Sequence, residues 1–283
     1  MRIVSLLPAA TEIVAALGAM GRLVGVSHEC DFPPQVRSLP RVTRSRIDPS
    51  LPSGAIDRAV TEAKRTGVPT VEVDVELVAH LRPDVLIAQS VCEVCAIGEA
   101  DLARVVTTLI PIPWVVTLHA HTLNGVLEDI VKVGEVLELR DEAEELLAGL
   151  RYRLRRVRNQ HAAPRRPPRV LVLEWLDPPY VAGHWVPELV ALAGGTDVAA
   201  AAGEPSRQRS WAELTALEPD LVLVALCGFD VARARAELAA VRADVPRALL
   251  GRRVEFVDGS AYTSRPGPRL VDAAERLAAL ITR

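Results

Sequence analysis

The sequence predicts an α/β protein of two similar lobes, each built on a parallel sheet and joined by one long α-helix. Three observations carry this. Leu81-Arg-Pro-Asp84 and Leu217-Glu-Pro-Asp220 sit in opposite halves of the chain, and each opens a short apolar run that reads as a buried strand. Such runs alternate with helix-spaced segments, the pattern of a parallel sheet. From Asp141 onward, Ala143, Leu146, Leu147, Leu150, Leu154 and Val157 form one stripe. That helix, running to about residue 160, would be roughly 30 Å long at 1.5 Å per residue, enough to bridge two lobes. The expected organisation is a first lobe over 1–140, a linking helix and linker over 141–167, and a second lobe over 168–283.

Each element has its own warrant. Arg2–Leu7 is a strand stopped by Pro8, and Thr11–Gly18 a short helix with Gly18 as its stop. Leu23–Ser27 is the next strand, and residues 32–52 form a loop rich in Pro and Arg. Ser53 caps a helix reaching Gly67. Thr70–Asp74 is strand-like, Glu76–Leu81 a helical turn, Asp84–Ala88 a strand and Gly98–Leu109 a helix. Pro113–Leu118 is a strand, and Thr122–Glu138 carries apolar residues at helical spacing. Ala162–Pro168 is a linker. The second lobe opens with the strand Arg169–Trp175, then Tyr180–Ala182, a helix Trp185–Ala193 and a capped helix Ser210–Leu217. Strands Leu221–Ala225 and Arg253–Val257 come next, and Pro266–Ile281 is the closing helix, with Pro near its start.

Composition narrows the function classes. The chain has 283 residues, 49% of them hydrophobic, and a net charge of -3. That balance gives no electrostatic reason to expect nucleic acid or an anionic membrane as partner. Pro8 and Glu12 interrupt the opening residues before an export signal can form, and no run is long enough to insert into a bilayer. The expected location is therefore cytoplasmic, and the four cysteines read as thiols or ligands rather than a disulfide frame. No G-x-G-x-x-G or G-x-x-x-x-G-K-[ST] phosphate loop, G-x-S-x-G elbow or H-E-x-x-H pair occurs.

Several stretches together resemble a known family. Ser5-Leu-Leu-Pro-Ala-Ala-Thr-Glu-Ile-Val-Ala-Ala-Leu-Gly18, then Arg22-Leu-Val-Gly-Val26, resembles the opening of class III substrate-binding proteins of periplasmic type. These are the binding components for cobalamin, haem and ferric siderophores. Ala193-Gly-Gly195, the second Leu-x-Pro-Asp and Arg265-Pro-Gly-Pro-Arg269 fit the second lobe of that family. His28-Glu-Cys-Asp31, Cys92-Glu-Val-Cys95, Glu174-Trp175, Gly183-His-Trp185 and Cys227-Gly-Phe229 look like its cobalamin-binding-protein-like branch without a signal peptide. The resemblance implies two Rossmann-like lobes with a ligand cleft between them. It implies a small-molecule metal chelate as partner, cobalamin or a related corrinoid foremost. The absence of an export signal departs from the transport members and puts delivery to an ABC permease in doubt.

Candidate site residues come from the rule that open parallel sheets bind ligands beyond the carboxyl ends of their strands. Expected ligand contacts are His28, Glu29, Glu174, Trp175, His184, Trp185, Tyr262 and Arg265, with His119 and His121 as weaker members. The tryptophans would lie against a flat macrocycle, and Arg265 would meet a ligand carboxylate or amide. The bland readings are core packing for the tryptophans and a helix-fixing ion pair for Arg265. Cys30, Cys92, Cys95 and Cys227 are the candidate metal ligands, for Zn or Fe, because thiolate and imidazole suit such ions. Each cysteine also reads as a small buried hydrophobe. The first expectation is a non-catalytic binding protein. The alternative is a metal- or thiol-dependent enzyme using the Cys and His residues.

Overall fold

Short apolar strands need cover on both faces, and each main sheet has such strands near its centre, Val85–Gln89 in one and Leu221–Val224 in the other. The structure, a computed structural model, describes residues 1–89, 97–161 and 165–282. The chain divides into two units. The first holds Met1–Leu51, Arg58–Ala120 and Gly125–Ala148; the second holds Pro52–Asp57, His121–Asn124 and Gly149–Arg283.

The chain order through the first unit, with α2 and α5 each beginning in residues of the second, is β1 (Ile3–Ser5), α1 (Pro8–Ala16), β2 (Leu23–Val26), β3 (Thr43–Ser45), α2 (Ser53–Thr66), β4 (Val71–Val73), α3 (Val75–Leu81), β5 (Val85–Gln89), α4 (Glu99–Thr108), β6 (Trp114–Leu118) and α5 (Leu123–Val136). Helix α6 (Arg140–Gln160) comes next, and the division between units falls within it, after Ala148. The main sheet is parallel, in the order β2-β1-β5-β6. All of β1 and the first four residues of β5 are buried. Helix α1 starts three residues earlier than its sequence signals indicated: Pro8 ends β1 and also takes the first helical position, where its missing N–H is not needed. Residues 32–52 are not loop throughout. Thr43–Ser45 pairs antiparallel with Val71–Val73, and Val42 adds its N–H to the Val26 carbonyl.

The second unit runs β7 (Arg169–Leu176), β8 (Pro179–Val181), α7 (Val186–Leu192), β9 (Thr196–Asp197), β10 (Arg207–Gln208), α8 (Trp211–Ala216), β11 (Leu221–Val224), α9 (Val231–Ala240), α10 (Arg247–Leu250), β12 (Arg253–Phe256), a π-turn (Gly259–Thr263) and α11 (Leu270–Ile281). Its sheet is parallel through β9, β7, β11 and β12, with β8 and β10 added antiparallel at one side. The register of β7 against β8 shifts between Leu173 and Trp175, so Glu174 sits at a bulge. Helix α9 had no sequence forecast. Its buried face is Ala234, Glu237 and Leu238, so no apolar stripe marks it; its signal is Asp230, whose side chain caps the Arg233 N–H at 2.8 Å.

Each unit has its own core. Val4, Leu6, Val42, Val78, Leu86, Ile97 and Leu109 belong to the first; Leu171, Leu173, Leu214, Val222, Leu226 and Phe229 belong to the second. Among the described residues, no helix is long and apolar enough to cross a membrane.

Candidate functional site

In the first unit, the residues after β2 are tied down by side chains. The Arg41 guanidinium donates to the carbonyls of Ser27 (2.9 Å) and Cys30 (2.6 Å), which fixes the turn. The His28 N–H donates to Thr43 Oγ1, and the His28 ring Nδ1 lies 2.7 Å from the same oxygen. Burial and then the nearby Arg41 charge push the His28 imidazole below its usual range, so it stays neutral at pH 7. Glu29 is exposed. Cys30 is 1% exposed, with its Sγ 3.1 Å from Thr11 Oγ1, which in turn donates to Ser5 Oγ. It is a thiol inside a hydroxyl network rather than a presented ligand. Beyond β6, the Asp129 carboxylate accepts the N–H groups of His119 and Ala120, and burial raises its pKa.

A cavity of about 650 Å³ lies wholly in this unit, lined by Arg41, Arg44, Arg46, Glu72 and Arg104 among others. Part of its charge is already paired: Glu72 bridges Arg44 and Arg46, and Arg104 pairs with Asp101.

The second unit gathers more of the expected residues. At the end of β7, Trp175 is half-buried, its ring 5.2 Å from Phe229 and its indole N–H on the Ser53 carbonyl at 3.2 Å. The bulged Glu174 accepts the Cys227 N–H through its carbonyl, and Cys227 is itself half-buried. His184 is held with φ 55, a left-handed conformation that a histidine takes at a cost. Its N–H donates to Glu204 O (2.6 Å) and its carbonyl accepts from Gly203 (2.9 Å). The neighbouring Gly183 has no room for a Cβ, which would meet Glu204 O and Ser206 N at 2.5 Å. The His184 ring stacks on His121 with centroids 5.5 Å apart and planes at 19°, and lies 5.4 Å from the Trp185 ring. Burial, then His121, lowers the His184 pKa.

Two expected contacts take on packing roles. Trp185 is 5% exposed and donates its indole N–H to Thr263 O at 2.9 Å, so almost none of its face is open to a macrocycle. Arg265 is 9% exposed and donates to Ser260 Oγ on the π-turn at 3.1 Å. Tyr262, on the same turn, is half-buried beneath the guanidinium of Arg276, 4.3 Å from its ring centre. Large side chains at strand ends look alike in sequence whether they face a ligand or seal a core. Among the described residues, no group of three or more His, Cys, Asp and Glu side chains gathers to hold a metal ion. Cys92 and Cys95 lie outside the described residues. Sequence reasoning ranked His121 low, and the structure sets it against His184.

Comparison with known proteins adds a family. A family model described as periplasmic binding protein matches residues 3–251. A vitamin B12-binding protein of Vibrio cholerae is 25% identical, covering 98% of this chain and 87% of its own length. The crystal structure of a periplasmic vitamin B12 binding protein of Vibrio cholerae superposes with a TM-score of 0.71 at 23% identity, covering 99% of this chain and 96% of that one. A periplasmic haem binding protein from Pseudomonas aeruginosa gives a TM-score of 0.74 at 25% identity, covering 99% and 92%.

Proposed function

The chain belongs to the periplasmic binding protein family, and from that premise we propose that it binds a corrinoid of the cobalamin kind. It is a binding protein of the vitamin B12, haem and siderophore type. The observation that carries the corrinoid reading is the match to a vitamin B12-binding protein over 98% of the chain. Two side chains of the second unit suit such a ligand. Trp175 keeps part of its indole open at a strand end. That face offers a macrocycle on the order of 100 Å², about 2 kcal/mol before ordering costs. His184 presents a neutral imidazole from a fixed backbone, a group that hydrogen-bonds corrin side-chain amides.

Isothermal titration with cyanocobalamin tests this. One equivalent should bind, and Trp175→Phe, which keeps an aromatic ring against Phe229, should weaken affinity about 3- to 10-fold with little change in unfolding midpoint. An unchanged affinity removes Trp175 from the site, and saturable binding of haemin but not cobalamin replaces the corrinoid with haem.

A further inference from the structure

His121 and His184 come from distant parts of the sequence, yet both belong to the second unit and both are anchored to one short helix. His184 stands just before α7, and its backbone is locked by Glu204 and Gly203. Glu188, in the first turn of α7, accepts the Leu123 N–H at 2.6 Å, which ties the segment carrying His121 to the same helix. The two rings therefore sit at a fixed spacing, 5.5 Å between centroids. Among the described residues, neither ring has a hydrogen-bond partner. His121 is exposed and His184 half-buried, so the pair is open to solvent on one side.

We infer that His121 and His184 form a two-imidazole site for a divalent first-row transition metal ion with two adjacent coordination positions free. Imidazole nitrogens about 2.0–2.1 Å from one metal, at angles near 90–120°, put the two ring centres roughly 4.5–5.5 Å apart. The observed spacing matches the upper end of that range. The rings now stack at 19°, so sharing one ion requires the exposed His121 ring to turn about its soft terminal torsion until both ring planes contain the metal. Imidazole is a good ligand for Ni, Cu and Zn, and water or a small chelator supplies the remaining positions. The inference goes beyond the corrinoid reading and does not depend on it. A macrocycle fills the four equatorial positions and leaves openings only on opposite faces, which two rings on one helix base do not both reach.

The test uses the full chain without a histidine tag. Titration with Ni²⁺ alone reports the bare ion, and titration with Ni²⁺–nitrilotriacetate, which has two adjacent positions free, reports a carried one. Ni²⁺–EDTA, which has none, is the control. One equivalent of the first two should bind and none of the third. His121→Ala and His184→Asn should each weaken Ni²⁺ binding at least 10-fold. Asn is chosen at 184 because it tolerates the left-handed backbone. His80→Ala, on an exposed position of α3, should leave Ni²⁺ binding unchanged. Cobalamin affinity in His121→Ala reports separately on the corrinoid reading. Ni²⁺ binding that survives the double variant, or no binding at all, overturns the inference.

Discussion

The two Leu-x-Pro-Asp stretches are built alike, but the strands they start end differently. Arg82 and Glu218, the second residues, both have φ 45. Asp84 accepts the Arg2 N–H (2.6 Å) and Asp220 the Arg169 N–H (2.8 Å), each clipping the residue that leads into the neighbouring strand. The backbone answers in kind: Asp84 N–H to Arg2 O and Asp220 N–H to Arg169 O, both 2.8 Å. Even the arginines repeat, with Arg2 donating to Leu81 O and Arg169 to Leu217 O. One device therefore starts β5 beside β1 and β11 beside β7. At the other end of the strands the likeness stops. The first unit closes around a buried thiol and hydroxyls, Cys30 with Thr11 and Ser5. The second opens into a bulge, a π-turn and a histidine in a strained conformation. In open parallel sheets ligands meet the carboxyl ends of strands, so the starts can be copied for stability while the ends are free to diverge.

The largest effect should come where the second unit's strand end is tightest. A Cβ at Gly259 would stand 2.0 Å from the Leu226 carbonyl oxygen, a backbone atom with nowhere to go. Gly259→Ala should cost about 3 kcal/mol or more in urea unfolding. In Gly25→Ala the clash, at 2.7 Å, is with the side-chain ends of Leu81 and Val42, which can shift, so about 1–2 kcal/mol is expected. Equal losses would break the contrast.

A second effect separates two carboxylates at the start of β7. Asp220 is exposed, whereas Asp197 is largely buried, and burial pushes its pKa up to about 6 despite hydrogen bonds from Ala199 and Ala200. Among the described residues, its Oδ2 has no partner. A carboxyl with a raised folded pKa favours the native state in its protonated form. Its contribution is full below the unfolded value of 3.8 and is lost as pH rises through about 6. In Asp197→Asn that slope should vanish: relative to the parent, the variant gains about 2 kcal/mol between pH 4 and pH 7. Parallel pH profiles would show that Asp197 is not held this way.

The smallest effect sharpens the likeness itself. Asp84→Ala and Asp220→Ala should each cost about 1 kcal/mol, because each removes a charge-assisted bond to an exposed backbone N–H, the exposed contact of Asp84 with the Met1 ammonium at 3.8 Å adding little. The two share no partner, so the double variant should lose about the sum. A silent member of the pair would end the equivalence.

Much of this was readable in the residues. Buried parallel strands announce themselves as apolar runs, and the repeated Leu-x-Pro-Asp marked both strand starts. The Ser210 capping box is present, with Glu213 returning the bond. Other features were hidden for physical reasons. Thr43-Arg44-Ser45 joins β4 by backbone pairing that its polar side chains do not advertise. Trp175 and Trp185 look equivalent in sequence, but only packing decides that Trp185 is sealed with its N–H satisfied while Trp175 keeps an open face. The pairing of His121 with His184 depends on Glu188 reaching another segment, a contact that no local pattern encodes.

The most direct measurement is thermal unfolding of the full chain with increasing cyanocobalamin. A ligand held only by the native state stabilises it by about 2.7 kcal/mol at a hundredfold excess over Kd. The account predicts a midpoint that climbs with cobalamin concentration and a one-to-one titration. A midpoint that stays fixed at large excess would contradict it.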